Sequence, residues 1–271
     1  MKRVLTSAVL GVIVLNVVLM PVAAQGRPPI APPETGAYYT GEYRNMLADW
    51  GVDESEIQAR IDATWEQLFY GDDETERVYY PVGDDMAYIL DTGNNDVRSE
   101  GMSYGMMIAV QLDKKEEFDR LWLWAKTYMY HAEGPYEGYF AWHCWPDGMQ
   151  MDENPAPDGE EWFVMALFFA AARWGNGDGI FNYEAEANTI LYHMLHKEED
   201  NPTGVATTMF DLDAQMVVFV PRLGQMSQFT DPSYHLPHFY ELWARWATQD
   251  NEFWAEAAQV SRDFYHLTAH P

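Results

Sequence analysis

Two carboxylates stand in settings that suit proton chemistry: Glu100 in DVRSEGMSYGMM and Asp158 in APDGEEWF. Ser99, Gly101, Ser103 and Gly105 surround the glutamate. A glycine costs a helix interior about 1 kcal/mol relative to alanine, so Gly101 and Gly105 need a reason, and close approach of a ligand or a neighbouring helix supplies one. Each acid also has a local reading. Asp96 can cap the helix that carries Glu100, and a first-turn glutamate is favoured by the helix dipole. That dipole stabilises the ionised form, so a proton-donor role requires burial or a second carboxylate to outweigh it. Asp158 followed by Glu161 has the spacing of a capping box. The aromatic segment between the two acids, with Tyr139, Phe140, Trp142 and Trp145, tips the balance toward chemistry. Aromatic faces match the C–H faces of sugar rings, and tryptophan beside carboxylates is the composition of a carbohydrate groove. Most of the 11 Trp are nevertheless core, because large aromatics carry burial first.

Other chemistries fail on spacing. Aligning Gly179 of Asn176-Gly177-Asp178-Gly179 with the invariant glycine of a calcium loop puts Trp174 first and Ala185 last, and neither offers a side-chain oxygen. His193 and His196 lack the glutamate of a zinc-protease pair. No GxSxG elbow, phosphate-binding glycine loop or dinucleotide fingerprint occurs. Cys144, the one cysteine, reads as a small buried apolar residue. No metal and no cofactor is expected.

The elements that must position the acids are mostly helices. Asp53 and Glu56 open one in which Ile57, Ile61, Trp65 and Leu68 recur at helical spacing up to Gly71. Residues 77–92 read as a short hairpin or irregular loop. Helices follow over 98–112 and 115–130, and 138–145 reads as extended. Asp158 opens a helix that ends at Gly175 and is apolar nearly all round, which means burial on most faces. Further helices are predicted over 183–196, 236–248 and 252–268. No 20–50-residue repeat is present, so the expected fold class is all-α, one helical domain with buried inner helices ringed by outer ones and short extended segments between them.

The chain of 271 residues carries 16 Lys+Arg against 43 Asp+Glu, a formal charge of −27. Acidity on that scale excludes a nucleic-acid binder, whose affinity comes from neutralising phosphates. It leaves neutral substrates unaffected, and adaptation to a saline habitat is an alternative source of it. Lys2 and Arg3, an apolar run from Ala8 to Met20 and the exit PVAAQ form a secretory signal peptide over 1–24, with cleavage after Ala24. The run is too short to span a bilayer. The mature protein is thus expected in the medium or periplasm, without membrane contact once the leader is removed. Residues 25–36 read as a Pro-rich linker.

The segments DVRSEGMSYGMMIAVQLDKKEEFDRLWLWAKTYM, FAWHCWPDG, APDGEEWFVMALFFAAARWGNGDGIFNYEAEAN and FTDPSYHLPHFYELWARWA resemble glycoside hydrolase family 8. Within it the likeness is to the xylan-active branch of reducing-end xylose-releasing exo-oligoxylanases, and it runs from about residue 43 to 271. The resemblance implies an (α/α)6 barrel over 37–271 and hydrolysis of β-1,4 bonds in xylan or xylo-oligosaccharides with inversion. It implies Glu100 as general acid and Asp158 as the aspartate that holds and distorts the reacting sugar. Trp142 matches an aromatic platform and Tyr234 a tyrosine near the reacting sugar, with Arg98 and Trp145 as further substrate-binding candidates. The family's general base, an aspartate in a Tyr-x-Asp setting, has no match here, and Asp263 in SRDFYH does not fit it. The sequence is therefore expected to be incomplete at the C-terminus, to be inactive alone, and to form a monomer when complete. Cellulase or chitosanase action, a non-catalytic carbohydrate-binding protein and a purely structural helical domain are the competing readings.

Overall fold

The computed structural model describes residues 43–200 and 204–269, so the predicted leader and linker lie outside the described residues. Eight helices occur among them: α1 (Met46–Asp49), α2 (Glu54–Tyr70), α3 (Ser99–Gln111), α4 (Lys115–Trp124), α5 (Pro157–Trp174), α6 (Tyr183–Asp200), α7 (Pro237–Trp246) and α8 (Asn251–Thr268). Asp53 caps α2, accepting from the Ser55 amide at 2.8 Å. The predicted helices all form, and the chain is mostly helical.

Three helical hairpins follow one another, α3 with α4, α5 with α6 and α7 with α8; α5 also packs on α3 and on α7. Directions follow from which ends meet. Gly159 of α5 abuts Ser99 of α3, while Val110 and Gln111 share a cavity with Phe169, Ala172 and Arg173 at the other ends. Trp162 meets Phe239 near the starts of α5 and α7, at 4.8 Å between ring centroids, and Phe168 and Phe169 meet Trp246 near their ends. Helices α3, α5 and α7 therefore run parallel, with their N-termini together. As its sequence requires, α5 is buried on most faces, with Phe163 to Phe168 all inside.

Extended segments lead into these N-termini. A hairpin of β1 (Tyr79–Val82) and β2 (Met86–Ile89) pairs Tyr79 with Ile89. Strands β3 (Val97–Arg98), β4 (His143–Cys144) and β5 (Gln150–Asp152) form a three-stranded sheet, and β6 (Phe210–Asp211) pairs with β7 (Met216–Val217). The glycines of α3 answer to the hairpin and, at Gly105, to α4 as well: a Cβ on Gly105 would stand 2.6 Å from Ile89 Cγ1 and 3.1 Å from Leu121 Cδ1, whereas one on Gly101 would find an ordinary 3.6 Å contact with Ile89.

Three local expectations are corrected. The helix over 115–130 is α-helical only to Trp124, then continues as a π-turn over Ala125–Met129, leaving the Met129 and Tyr128 carbonyls to accept from Ala141 and from the Gln150 side chain. Asp96 does not cap α3. Residues 97–98 are extended, Arg98 occupies the cap position without a side-chain bond, and the buried Asp96 accepts from Arg98 and bonds His143 Nε2 at 2.7 Å. Asp158 is not a cap either. Pro157 takes the first helical position, where its missing N–H costs nothing, so Ala156 stands at the cap and Asp158 is already inside the first turn.

Candidate active site

Glu100 and Asp158 occupy equivalent places, each the second residue of its helix. The contact that brings those first turns together lies beside both acids: a Cβ on Gly159 would stand 2.4 Å from Ser99 Oγ and 2.6 Å from Ser99 Cβ. Only glycine allows that approach, which is a signal adjacent to Asp158 that sequence reasoning passed over. The two carboxylates differ in surroundings. Glu100 is exposed and accepts from the Tyr104 hydroxyl at 3.1 Å. Asp158 Oδ1 is buried without a hydrogen-bond partner. Burial, then the charge of Glu100, push the Asp158 carboxyl up to about 7, against backbone hydrogen bonds that favour its ionised form. The carboxyl raised toward neutrality is thus Asp158, whereas the sequence argument looked for burial at Glu100.

An aromatic floor joins the acids. Tyr104 is four residues after Glu100 and Trp162 four after Asp158, so each ring shares a helix face with its carboxylate. The two rings meet edge to face at 4.9 Å, and Trp162 continues onto Phe239 of α7. Neither Tyr104 nor Trp162 was singled out from sequence, although the four-residue spacing marks both.

The remaining candidates divide. Trp142 is tied to the start of α3, its carbonyl accepting from the Ser99 amide at 3.0 Å, and its ring lies against His143 and beneath the Arg98 guanidinium, 5.5 Å from the ring centroid. Arg98 bonds Asp96 at 3.1 Å and pairs with Asp91 at 3.1 Å, so it braces the Trp142 ring. Trp145 sits beyond β4, on the turn where its amide bonds the Met149 carbonyl. Because β4 pairs antiparallel with β3, the chain runs from Trp142 to Trp145 away from the start of α3, and the Trp145 ring is exposed. Tyr234 does reach the acids. It ends a 3-10 turn (Pro232–Tyr234) capped by Asp231, stacks on Phe219 at 5.7 Å, and has its hydroxyl raised by burial and by the charges of Asp158, Asp231 and Glu100. Asp231 accepts from the Ser233 amide and hydroxyl, which hold its own carboxyl low.

Beneath Asp158, the same turn of α5 buries two further acids that sequence reasoning did not separate from it. Glu160 Oε1 accepts from the Phe140 amide at 2.9 Å, and Glu161 Oε1 bonds the Tyr240 hydroxyl. Burial pushes both carboxyls well above the usual range. Their partners lie 20 and 79 residues away, so no local pattern could have shown them.

The chain that carries these acids is similar in sequence and fold to members of a known family. The profile described as "Glycosyl hydrolases family 8" matches residues 84–269. The reducing-end xylose-releasing exo-oligoxylanase Rex8A of Paenibacillus barcinonensis is 56% identical over 237 residues, which cover 87% of this chain and 60% of the relative. The reducing end xylose-releasing exo-oligoxylanase of Halalkalibacterium halodurans is 52% identical over 238 residues, covering 87% and 59%. The solved structure of Rex8A complexed with xylose superposes with a TM-score of 0.82, covering 87% of this chain and 61% of that one. The chain thus spans about 60% of the length of the relatives it matches. With a profile match across most of the sequence and a shared fold at this identity, the chain belongs to glycosyl hydrolases family 8.

Proposed function

We propose that the natural protein containing this chain is an exported, inverting glycoside hydrolase that cleaves β-1,4-xylosidic bonds and releases xylose from the reducing end of xylo-oligosaccharides. The observation that carries this reading is the abutment of the first turns of α3 and α5, which sets an exposed and an enclosed carboxylate over the Tyr104–Trp162 floor. The relatives' names supply the substrate and the end at which it is cut. The three hairpins are read as part of an (α/α)6 barrel whose inner helices are α3, α5 and α7.

Glu100, exposed and bonded to Tyr104, is the general acid that protonates the leaving oxygen. Asp158 holds the hydroxyls of the reacting sugar, with Tyr234 beside it. Trp142, braced by Arg98, is the platform for a sugar further along the groove. Inversion requires a carboxylate opposite the acid to activate water, at a separation of about 6.5–9.5 Å; the family places that role on a Tyr-x-Asp aspartate, which matches no described residue. The raised Asp158 carboxyl favours one alternative, in which Asp158 itself supplies the proton.

Product analysis on xylohexaose, cellohexaose and chitosan tests the reading. Xylose released from xylohexaose, and lost in Glu100→Gln, supports it. Cleavage of cellohexaose or chitosan in its place moves the protein to another branch of the family, and binding of xylohexaose without products makes it a non-catalytic carbohydrate-binding protein.

A further inference from the structure

Glu161 is fully buried, one turn along α5 from Asp158. Its Oε1 bonds the Tyr240 hydroxyl of α7, and that hydroxyl lies 3.3 Å from the Tyr234 carbonyl. The direction of this chain follows from counting protons. A carboxylate inside protein without a countercharge costs several kcal/mol, and burial pushes the Glu161 carboxyl well above its usual range, which favours the neutral form with one proton to donate. If Oε1–H donates to Tyr240 Oη, the tyrosine donates its own proton to the Tyr234 carbonyl, and only an acceptor, Glu161 Oε2, is left without a partner. The opposite direction leaves a buried donor unmet, which is the rarer condition in folded proteins.

The turn that receives this bond is held from the other side as well. The Tyr265 hydroxyl of α8 reaches the Pro232 carbonyl at 3.0 Å and the His235 carbonyl at 2.5 Å. Buried His235 is itself bonded by Thr230 Oγ1 at 2.7 Å and Ser261 Oγ at 2.9 Å. Tyrosine hydroxyls from two helices thus fix three carbonyls of the segment that presents Tyr234 to the acids. The bond from Tyr240 is the one that starts on α5, the helix that carries Asp158.

We propose that Glu161 is a positioning residue that acts through Tyr240 to register the Tyr234 turn against the Glu100–Asp158 pair; the proposal rests on the reading of that pair as a glycosidase site. One helix then places both the sugar-holding aspartate and, through two hydroxyl-bearing groups, the tyrosine that faces it.

The test uses the natural protein with Tyr240→Phe, Glu161→Met, the double variant and Glu161→Gln, read by hydrogen exchange over residues 231–236 and by kinetics on xylohexaose. Tyr240→Phe keeps the ring and its packing and removes one hydroxyl. It and Glu161→Met are expected to speed exchange in the turn and to lower kcat by ~10–100-fold with a smaller change in KM, the size of effect that small misplacements produce. The double variant should be no worse than either single one, because both cut the same chain. Glu161→Gln, whose amide N–H donates to Tyr240 in place of the acid, should restore exchange and kcat to within ~3-fold of the parent, well inside the single-variant losses. Unchanged exchange in Tyr240→Phe, or losses in the double variant that multiply, overturns the proposal. A parent protein that hydrolyses no glycan overturns the glycosidase reading instead, while the exchange measurement still decides whether Glu161 and Tyr240 hold the turn.

Discussion

At the scale of single residues, the two acids of the site have separable signatures. In the natural protein, under the proposed reading, Glu100→Gln keeps the shape of the side chain and removes its proton, so kcat on unactivated xylo-oligosaccharides should fall by about 10²–10⁴-fold while binding measured by calorimetry persists; unchanged turnover returns Glu100 to a first-turn residue held by the dipole. For Asp158 the sign of the pH dependence discriminates. Its carboxyl is raised to about 7. If it must be ionised to hold the sugar, kcat/KM rises with pH through that value, and Asp158→Asn lowers activity at all pH values while removing the limb. If it supplies the proton, kcat/KM falls through the same range. A profile flat between pH 6 and 8 sinks both assignments. Glu100 and Asp158 could be singled out as candidates because each sits in a long, specific run of residues, and their adjacency across α3 and α5 is what the structure adds. The local cap readings offered for Asp96 and for the Asp158–Glu161 pair fail because capping is a local pattern, and here His143, Pro157 and Tyr240 decide where the chain starts its helices and what the carboxylates touch.

At the scale of elements, the site depends on how closely α3 and α5 approach at their first turns. Gly159→Ala places a methyl group 2.6 Å from Ser99 Cβ, and overpacking of this kind costs about 1–3 kcal/mol. Denaturant unfolding should show that loss together with reduced kcat, and Ser99→Gly in the same chain should recover part of both. Additive losses in the double variant would place the strain elsewhere. Most helices were legible from apolar spacing and punctuation, and the hairpin over 77–92 from its Gly-Asp turn. Their parallel alignment was not, since it rests on ring contacts between α5 and α7 separated by about 80 residues of chain. The π-turn at Ala125–Met129 was equally hidden, because Ala141 and Gln150, which use the carbonyls of that turn, belong to a later segment.

At the scale of the whole molecule, a formal charge of −27 sets like charges against one another across the surface. Raising NaCl from low to moderate ionic strength, which shortens the screening length from about 30 Å at 0.01 M to about 10 Å at 0.1 M, should raise Tm; no change would mean that repulsion contributes nothing to stability. That formal charge also counts Glu160 and Glu161 as ionised, though burial in the first turn of α5 pushes both carboxyls, like Asp158, toward the protonated form. The folded chain is therefore a store of protons that the unfolded chain cannot keep. These groups have folded affinities for the proton above their unfolded ones, so their contribution to stability is complete below about pH 4 and is lost as pH rises through the folded values, Asp158 near 7. Near neutrality, unfolding should therefore release protons into the medium, and its calorimetric enthalpy should shift between phosphate and Tris by the number released multiplied by the difference in buffer ionisation heat; no shift between the buffers would mean that these acids are ionised in the folded chain.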